Sequence, residues 1–146
     1  ANVKRLLKLC PQGKVYGMDL SEESVAFARR HNAGELDRRC FIQQGDVCSL
    51  PYGDGAFDAV TAFETVYFWS SVSKALAEVF RVIRKGGCFL ISLEASDPEL
   101  GKAWTERIKG MTVYGAEELK QLLSQAGFSD IRVIQKKEEL HIVAHK

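Results

Sequence analysis

The chain has 146 residues, enough for one domain, and 46% of them are hydrophobic, as in an ordinary globular fold. Its 20 basic and 19 acidic residues leave a net charge of +1, so no long-range field marks nucleic acid or a membrane as a partner. No apolar run approaches the roughly 18 residues that span a bilayer, and residues 1–5 lead into a cationic amphipathic helix rather than a signal peptide. The four cysteines, Cys10, Cys40, Cys48 and Cys88, show no CxxC spacing, and each sits in or beside an apolar segment. They read as buried free thiols in a reducing cytoplasm, with no zinc site or disulfide framework expected.

In chain order, Val3, Leu6, Leu7 and Cys10 recur at helical spacing, and Pro11-Gln12-Gly13 ends that helix. Residues 15–19 form a short strand that stops at Asp19. Ser21 is placed to cap the next helix, with Glu22 and Glu23 in its favourable first turn, and Gly34 follows its end near Asn32. A second strand, residues 40–44, closes at Gly45-Asp46, and a turn-forming loop at residues 51–55 precedes a third strand, residues 57–63. Val72, Ala75, Leu76, Val79, Phe80 and Ile83 then give a complete apolar helical stripe, broken by Lys85-Gly86-Gly87. Residues 88–93 are nearly continuously apolar, the pattern of a strand buried on both faces. After a polar stretch, Leu119, Leu122, Leu123 and Ala126 mark a further helix. Gly127 stands where a left-handed C-cap belongs, and residues 131–135 and 140–144 read as a closing hairpin. Strands alternating with helices, then a terminal hairpin, predict an α/β fold with an antiparallel edge.

Asp19 is the most informative single residue. A carboxylate at the carboxyl end of a parallel strand accepts both hydroxyls of a ribose, and ligands of open α/β sheets sit beyond those strand ends. The alternative is an Asp that only supports the Ser21 cap. In such a βαβ unit the acidic residue follows a glycine-rich turn by about 20 residues. Counting back from Asp19 lands at or before Ala1, so the turn is expected to be missing from the chain.

These segments resemble a known family. Residues 15–21, Gly45-Asp46-Val47, Leu50-Pro51-Tyr52 with Phe57-Asp58, and residues 81–87 fall in the order and spacing of class I S-adenosylmethionine-dependent methyltransferases. The resemblance is to the small-molecule group that includes the ubiquinone and menaquinone biosynthesis enzymes, the methyltransferase type 11 domain. Gly127-Phe128 with Ile131 resembles the end of that fold, so the likeness covers essentially the whole chain. It implies a Rossmann-like, mostly parallel sheet with helices on both faces and a C-terminal antiparallel hairpin, as a single domain over residues 1–146. Two departures stand out: no glycine-rich loop follows a first strand, and Lys85 stands where the family often has proline. The absent strand is the family's central one, and a gap there leaves two rows of unpaired backbone groups. The resemblance therefore implies an N-terminally incomplete domain, lacking a segment of about 30 to 60 residues, or a homodimer or other partner filling the gap.

Residue by residue, the resemblance puts S-adenosylmethionine against Asp19, with Met18 and Leu20 lining the adenine or simply packing. It has Asp46 accept from the adenine amino group and the Val47 N–H meet a ring nitrogen. For Asp46 the alternative is an Asx-turn. The aromatic-rich segment 63–69 suits the sulfonium, because cations are drawn to ring faces, and it equally suits an apolar or planar acceptor. Phe63 is expected beside the cofactor, and Tyr67 and Trp69 against substrate or in the core. Glu64 and Glu94 each follow an apolar strand, where a carboxylate takes a proton from the acceptor or binds a cationic one, unless both are solvated. Trp104, Met111 and Tyr114 lie in the region that often covers the acceptor in this family. Asp58 is read as structural, and His31, His141 and His145 have no evident Ser or Cys partner. The implied activity is in-line methyl transfer to a small molecule, in which orientation dominates and a general base is optional, so no catalytic residue is singled out and no metal is expected. Two rival readings are an NAD(P)-dependent oxidoreductase, whose second strand also ends in a ribose-binding acid, and a non-catalytic methyltransferase-like binding domain.

Overall fold

The computed structural model describes residues 2–146, which fall into two compact units that divide between Ser49 and Leu50. The first unit contains α1 (Asn2–Leu9), β1 (Val15–Asp19), α2 (Glu22–His31), a 3-10 turn at Ala33–Glu35 and β2 (Cys40–Gln44). β1 and β2 pair in parallel, from Val15 opposite Cys40 to Asp19 opposite Gln44. Both helices cover one face of this ribbon. Leu7, Val25, Val15, Cys40 and Ile42 form its buried core, with Val3, Leu6, Ala28 and Leu36 packed against it. Each fully buried aliphatic side chain there contributes about 1.5–3 kcal/mol. Ser21 caps α2 as expected: its Oγ accepts from the Ser24 N–H at 3.2 Å. Arg39, just before β2, donates to the carbonyls of Leu7, Cys10 and Gly13 at 2.8, 2.9 and 3.2 Å, satisfying the C-terminal end of α1.

The second unit contains β3 (Phe57–Phe63), a 3-10 turn at Val66–Phe68, α3 (Val72–Val82), β4 (Ile83–Leu93), α4 (Lys102–Arg107), α5 (Ala116–Gln125), β5 (Ser129–Lys136) and β6 (Glu139–His145). Its sheet has the order β3-β4-β6-β5. β3 and β4 are parallel, and β6 is antiparallel to both β4 and β5, so the closing hairpin forms where residues 131–135 and 140–144 predict it. Helices α3 and α5 pack on each other and on the sheet, and Phe128 stands edge-on to Phe80 at 5.0 Å and tilted over Phe89 at 5.8 Å. The strands thus form two sheets, one in each unit. No helix among the described residues is long and apolar enough to cross a membrane.

Four details differ from expectation. α3 stops at Val82, and Ile83, read as the last residue of the helical stripe, is extended and already pairs with Phe57. Burial alone could not separate the two assignments, since Ile83 is fully buried as the first strand residue too. Pairing resumes at Ala59 opposite Cys88, with residues 84–87 bulging out. β4 alternates fully buried and half-buried positions along residues 87–93, so only one of its faces is closed. Helix α4 arises in the stretch read as polar and irregular. Only Cys40 and Cys48 are buried, because α1 ends at Leu9 and leaves Cys10 in an exposed turn, while Cys88 is half-buried.

The end of α5 is a full Schellman cap. Phe128 N–H donates to Leu123 O and Gly127 N–H to Ser124 O, both at 3.1 Å, with Gly127 at φ +108°. A Cβ on Gly127 would lie 2.9 Å from the Phe80 ring. Gly127→Ala is therefore expected to destabilise the protein by about 1–3 kcal/mol in urea unfolding, through the strained φ and displacement of Phe80. A change within about 0.5 kcal/mol would show that the cap does not hold α5 to α3.

Candidate functional site

At the carboxyl end of β1, Asp19 is solvent-exposed. Its Oδ1 accepts from the Ser21 N–H at 2.9 Å, so the residue does support the α2 cap, while Oδ2 has no partner among the described residues. Met18 is half-buried, and Leu20 beyond it exposes 67% of its surface. The ladder to β2 extends one step further, Gly45 N–H donating to Asp19 O at 3.0 Å, and Gln44 Nε2 donates to Leu20 O at 2.9 Å. These bonds bring Asp46 and Val47 to the same strand ends as Asp19. Gly45 is required by close approach: a Cβ there would stand 2.5 Å from the Met18 sulfur. Asp46 Oδ1 accepts from the Cys48 N–H at 2.8 Å in an Asx-turn, and the Val47 N–H donates to nothing among the described residues. The first unit thus offers an open carboxylate oxygen, a second acid, an unused N–H and apolar surface at one end.

At the carboxyl ends of β3 and β4, the second unit brings together Glu64, Tyr67 and Glu94. Glu64 follows Phe63, which is half-buried, and adopts φ +55°, a left-handed conformation that costs a non-glycine residue about 1–2 kcal/mol. It is held there by its N–H donating to Ser92 O at 3.0 Å and by its carboxylate accepting from the Tyr67 hydroxyl at 3.0 Å. That hydroxyl also accepts from the Ala95 N–H at 2.9 Å. Partial burial, which outweighs the bonds from the Tyr67 hydroxyl and the Glu94 backbone, raises the Glu64 carboxyl above its ordinary value, and the charge of Glu94 adds a smaller push in the same direction. Burial pushes the Tyr67 phenol up to about 12, so it stays a donor. Tyr67 is buried and serves as a bracket between the two strand ends, whereas Glu94 is exposed and Trp69 half-buried, stacked on Phe89 at 6.5 Å. Tyr114 is buried, Met111 half-buried and Trp104 53% exposed on α4. Asp58 pairs with Arg84 at 2.6 Å, a surface contact.

Two features escaped sequence reading. His141, for which no serine partner was evident, sits across the β4–β6 ladder from Ser92, with Nδ1 3.1 Å from its Oγ. Only strand register reveals that neighbour. The second is Arg81, which donates to Leu50 O, Tyr52 O, Asp54 and Glu78, while Glu78 also accepts from the Leu50 N–H at 2.8 Å. The i, i+3 spacing of Glu78 and Arg81 was legible in the helix, but their grip on residues 50–54 was not.

Strands alternating with helices, closed by an antiparallel hairpin and with acids at the strand ends, define the fold of class I S-adenosylmethionine-dependent methyltransferases. A solved S-adenosylmethionine-dependent methyltransferase from Thermotoga maritima, described as a possible histamine N-methyltransferase, has that fold: TM-score 0.79 at 22% identity, over 99% of this chain and 77% of that one. A family model described as a methyltransferase domain matches residues 1–91, and the chain belongs to that family. Among curated relatives, it is 37% identical over 92 residues to demethylmenaquinone methyltransferase of Symbiobacterium thermophilum, covering 62% of this chain and 36% of that protein. It is 36% identical over 104 residues to the ubiquinone/menaquinone biosynthesis C-methyltransferase UbiE of Dinoroseobacter shibae, covering 68% and 41%. The chain therefore spans about two fifths or less of the length of these relatives.

The bonds from Arg81, above all, and that from Leu50 hold the Glu78 carboxyl at about 2, below its ordinary 4.5, against a smaller opposing cost of burial. A carboxyl depressed in the folded state stabilises it fully above pH 4.5, and that stabilisation is lost as the pH falls towards 2. Glu78→Gln should therefore be less stable than the parent at pH 6 and converge on it near pH 2, followed by urea midpoints across the range. A gap that stays constant with pH would show that the Glu78 charge is not what holds residues 50–54.

Proposed function

We propose that residues 1–146 belong to a single domain that transfers a methyl group from S-adenosylmethionine to a small-molecule acceptor. The observation that supports this most is the strand-end arrangement of the first unit. Asp19 Oδ2 is free to accept from a ribose diol, the Val47 N–H is free to donate to a purine nitrogen, and Met18 and Leu20 offer apolar surface to the ring. Those groups fit the nucleoside of the cofactor, and Asp46 completes the set as acceptor for an exocyclic amino group. When bound, S-adenosylmethionine supplies an electrophilic methyl group on a sulfonium, a good leaving group.

The chain's own part is to bind, orient and exclude water, and orientation of this kind is worth about 7–11 kcal/mol in favourable cases. Phe63 at the end of β3 offers a ring face to a cation. Glu64, Tyr67, Trp69 and Glu94 are assigned to the acceptor, with Tyr67 fixing the Glu64 carboxylate and Glu64, its carboxyl raised above its ordinary value by burial, accepting a proton where the acceptor carries one. The names of the relatives, a demethylmenaquinone methyltransferase and UbiE, agree with an apolar acceptor beside the aromatic residues.

Calorimetric titration with S-adenosylhomocysteine, and with NADH as control, tests this reading. Binding of the former only is expected, and Asp19→Asn should weaken it by roughly 10–100-fold. That substitution keeps the Oδ1 bond to Ser21 while replacing the open acceptor, so circular dichroism should be unchanged. Binding of NADH without S-adenosylhomocysteine would overturn the proposal in favour of a nicotinamide-dependent oxidoreductase.

A further inference from the structure

The methyl-transfer reading leaves one basic group at the strand ends without a role. Phe63, Ser92, His141 and Ile134 stand opposite one another on β3, β4, β6 and β5, in a single row across the sheet. Opposed residues of neighbouring strands point to the same face, here the one on which β4 is only half-buried. The row lies at the carboxyl ends of β3 and β4, and Glu64 is the residue that follows Phe63.

Ser92 touches both titratable groups. Its carbonyl accepts from the Glu64 N–H at 3.0 Å, and its Oγ is 3.1 Å from His141 Nδ1. A hydroxyl donates to a bare ring nitrogen or accepts from a protonated one, so this contact survives a change in the charge of His141. The other ring nitrogen, Nε2, has no hydrogen-bond partner among the described residues.

The groups around the Glu64 carboxylate differ in what they do with a proton. The Tyr67 hydroxyl and the Glu94 backbone N–H donate to it, and the phenol, pushed up to about 12, stays protonated. The Glu94 carboxylate meets it as a like charge. His141 does the opposite, because a positive charge on its ring favours the ionised carboxylate. The remaining neighbours of His141 are uncharged or engaged. Ile134 is opposite it on β5, and Val143 follows it on β6. On the same face, Arg132 is paired with Asp130 at 3.2 Å and Lys136 stands opposite Glu139.

We propose that His141 belongs to the acceptor site and works with Glu64 as one proton-accepting pair, both held by Ser92. The inference rests on the methyl-transfer reading. A proton leaving the acceptor, as the methyl group is transferred, goes to a Glu64 carboxylate oxygen. Solvent at this exposed residue carries it on to His141 Nε2, since an imidazole is ordinarily a stronger base than a carboxylate. Glu64 is then a carboxylate again, with an imidazolium beside it that loses the proton to solvent. His141 acts through Glu64 and touches no acceptor atom, so it is a positioning residue.

The test follows the Glu64 carboxyl carbon and the His141 ring by NMR in the whole ¹³C-labelled chain, across the pH range in which carboxyl and imidazole groups titrate. In the parent, the Glu64 signal is expected to respond twice, once to its own proton and again as the His141 ring titrates. His141→Gln keeps a hydrogen-bonding side chain beside Ser92 but no base. It should abolish the second response and move the first to higher pH. His141→Lys should also abolish the second response but, by keeping a positive charge, return the first to the parent's range. A Glu64 signal with a single response, unmoved by His141→Gln, would reduce the Ser92–His141 contact to strand packing and overturn the proposal. Equal movement in both variants would overturn it too, since charge would not be the cause. Failure of S-adenosylhomocysteine to bind the parent would instead sink the methyl-transfer reading, whatever the titrations show.

Discussion

The second unit depends on how the last carbonyls of α3 are satisfied. A helix ends with four carbonyl groups that have no partner within it, and α3 runs into β4 without a connecting residue to supply one. One partner is the residue that follows the helix, and two come from distant parts of the chain. Gly55 N–H donates to Arg81 O at 3.0 Å, the Lys146 ammonium donates to Phe80 O at 2.7 Å, and Ile83 N–H donates to Val79 O. The same ammonium stands 4.6 Å above the Phe80 ring. The loop before β3, the first residue of β4 and the last residue of the chain are thus tied to one helical turn, and Arg81 locks residues 50–54 onto it from the side.

That junction sets where β4 begins, and through its pairing it sets what happens at the other end of the strand. Once the bulge at residues 84–87 is passed, the register runs unbroken from Ala59 opposite Cys88 to Phe63 opposite Ser92. The next residue, Glu64, has its N–H fixed by Ser92 O, which holds it in a left-handed conformation that its side chain would not choose. Tyr67 then spans from the Glu64 carboxylate to the Ala95 amide, so the exits of two neighbouring strands are joined by one buried hydroxyl. Strain held this firmly by its surroundings is a usual mark of a functional position. The first unit shows the same logic in simpler form, with Asp19 and Asp46 beyond the ends of a parallel pair and Gly45 leaving space for Met18.

Much of this was legible in the residue pattern because the local signals agreed. Ser21 before Glu22 and Glu23 marked a helix start, Gly127 before Phe128 marked a helix end, and two strand segments either side of the charged residues 136–139 marked the closing hairpin, and all three stand as read. Strand ends were equally clear at Asp19 and Gly45. Where two structures would bury the same side chain, pattern failed: Ile83 fits the stripe of α3 and the start of β4 alike. Cys10 fits the stripe of α1, yet lies beyond its end. Residues 102–107 form a helix with no buried face, so no apolar period announced it.

The sequence by itself determined the order of the strands and of every helix but α4, the family to which they belong, and the acids at the ends of β1 to β4, because the signals for each lie within short segments of the chain. Tertiary structure alone decided what those residues touch. It set Ser92 beside His141, turned Tyr67 inward as a bracket rather than outward, clamped residues 50–54 under Arg81 and left Asn32 with a buried acceptor. These outcomes depend on register and on the closure of backbone hydrogen bonds between segments far apart in the chain, and no local pattern encodes which distant partner will complete them.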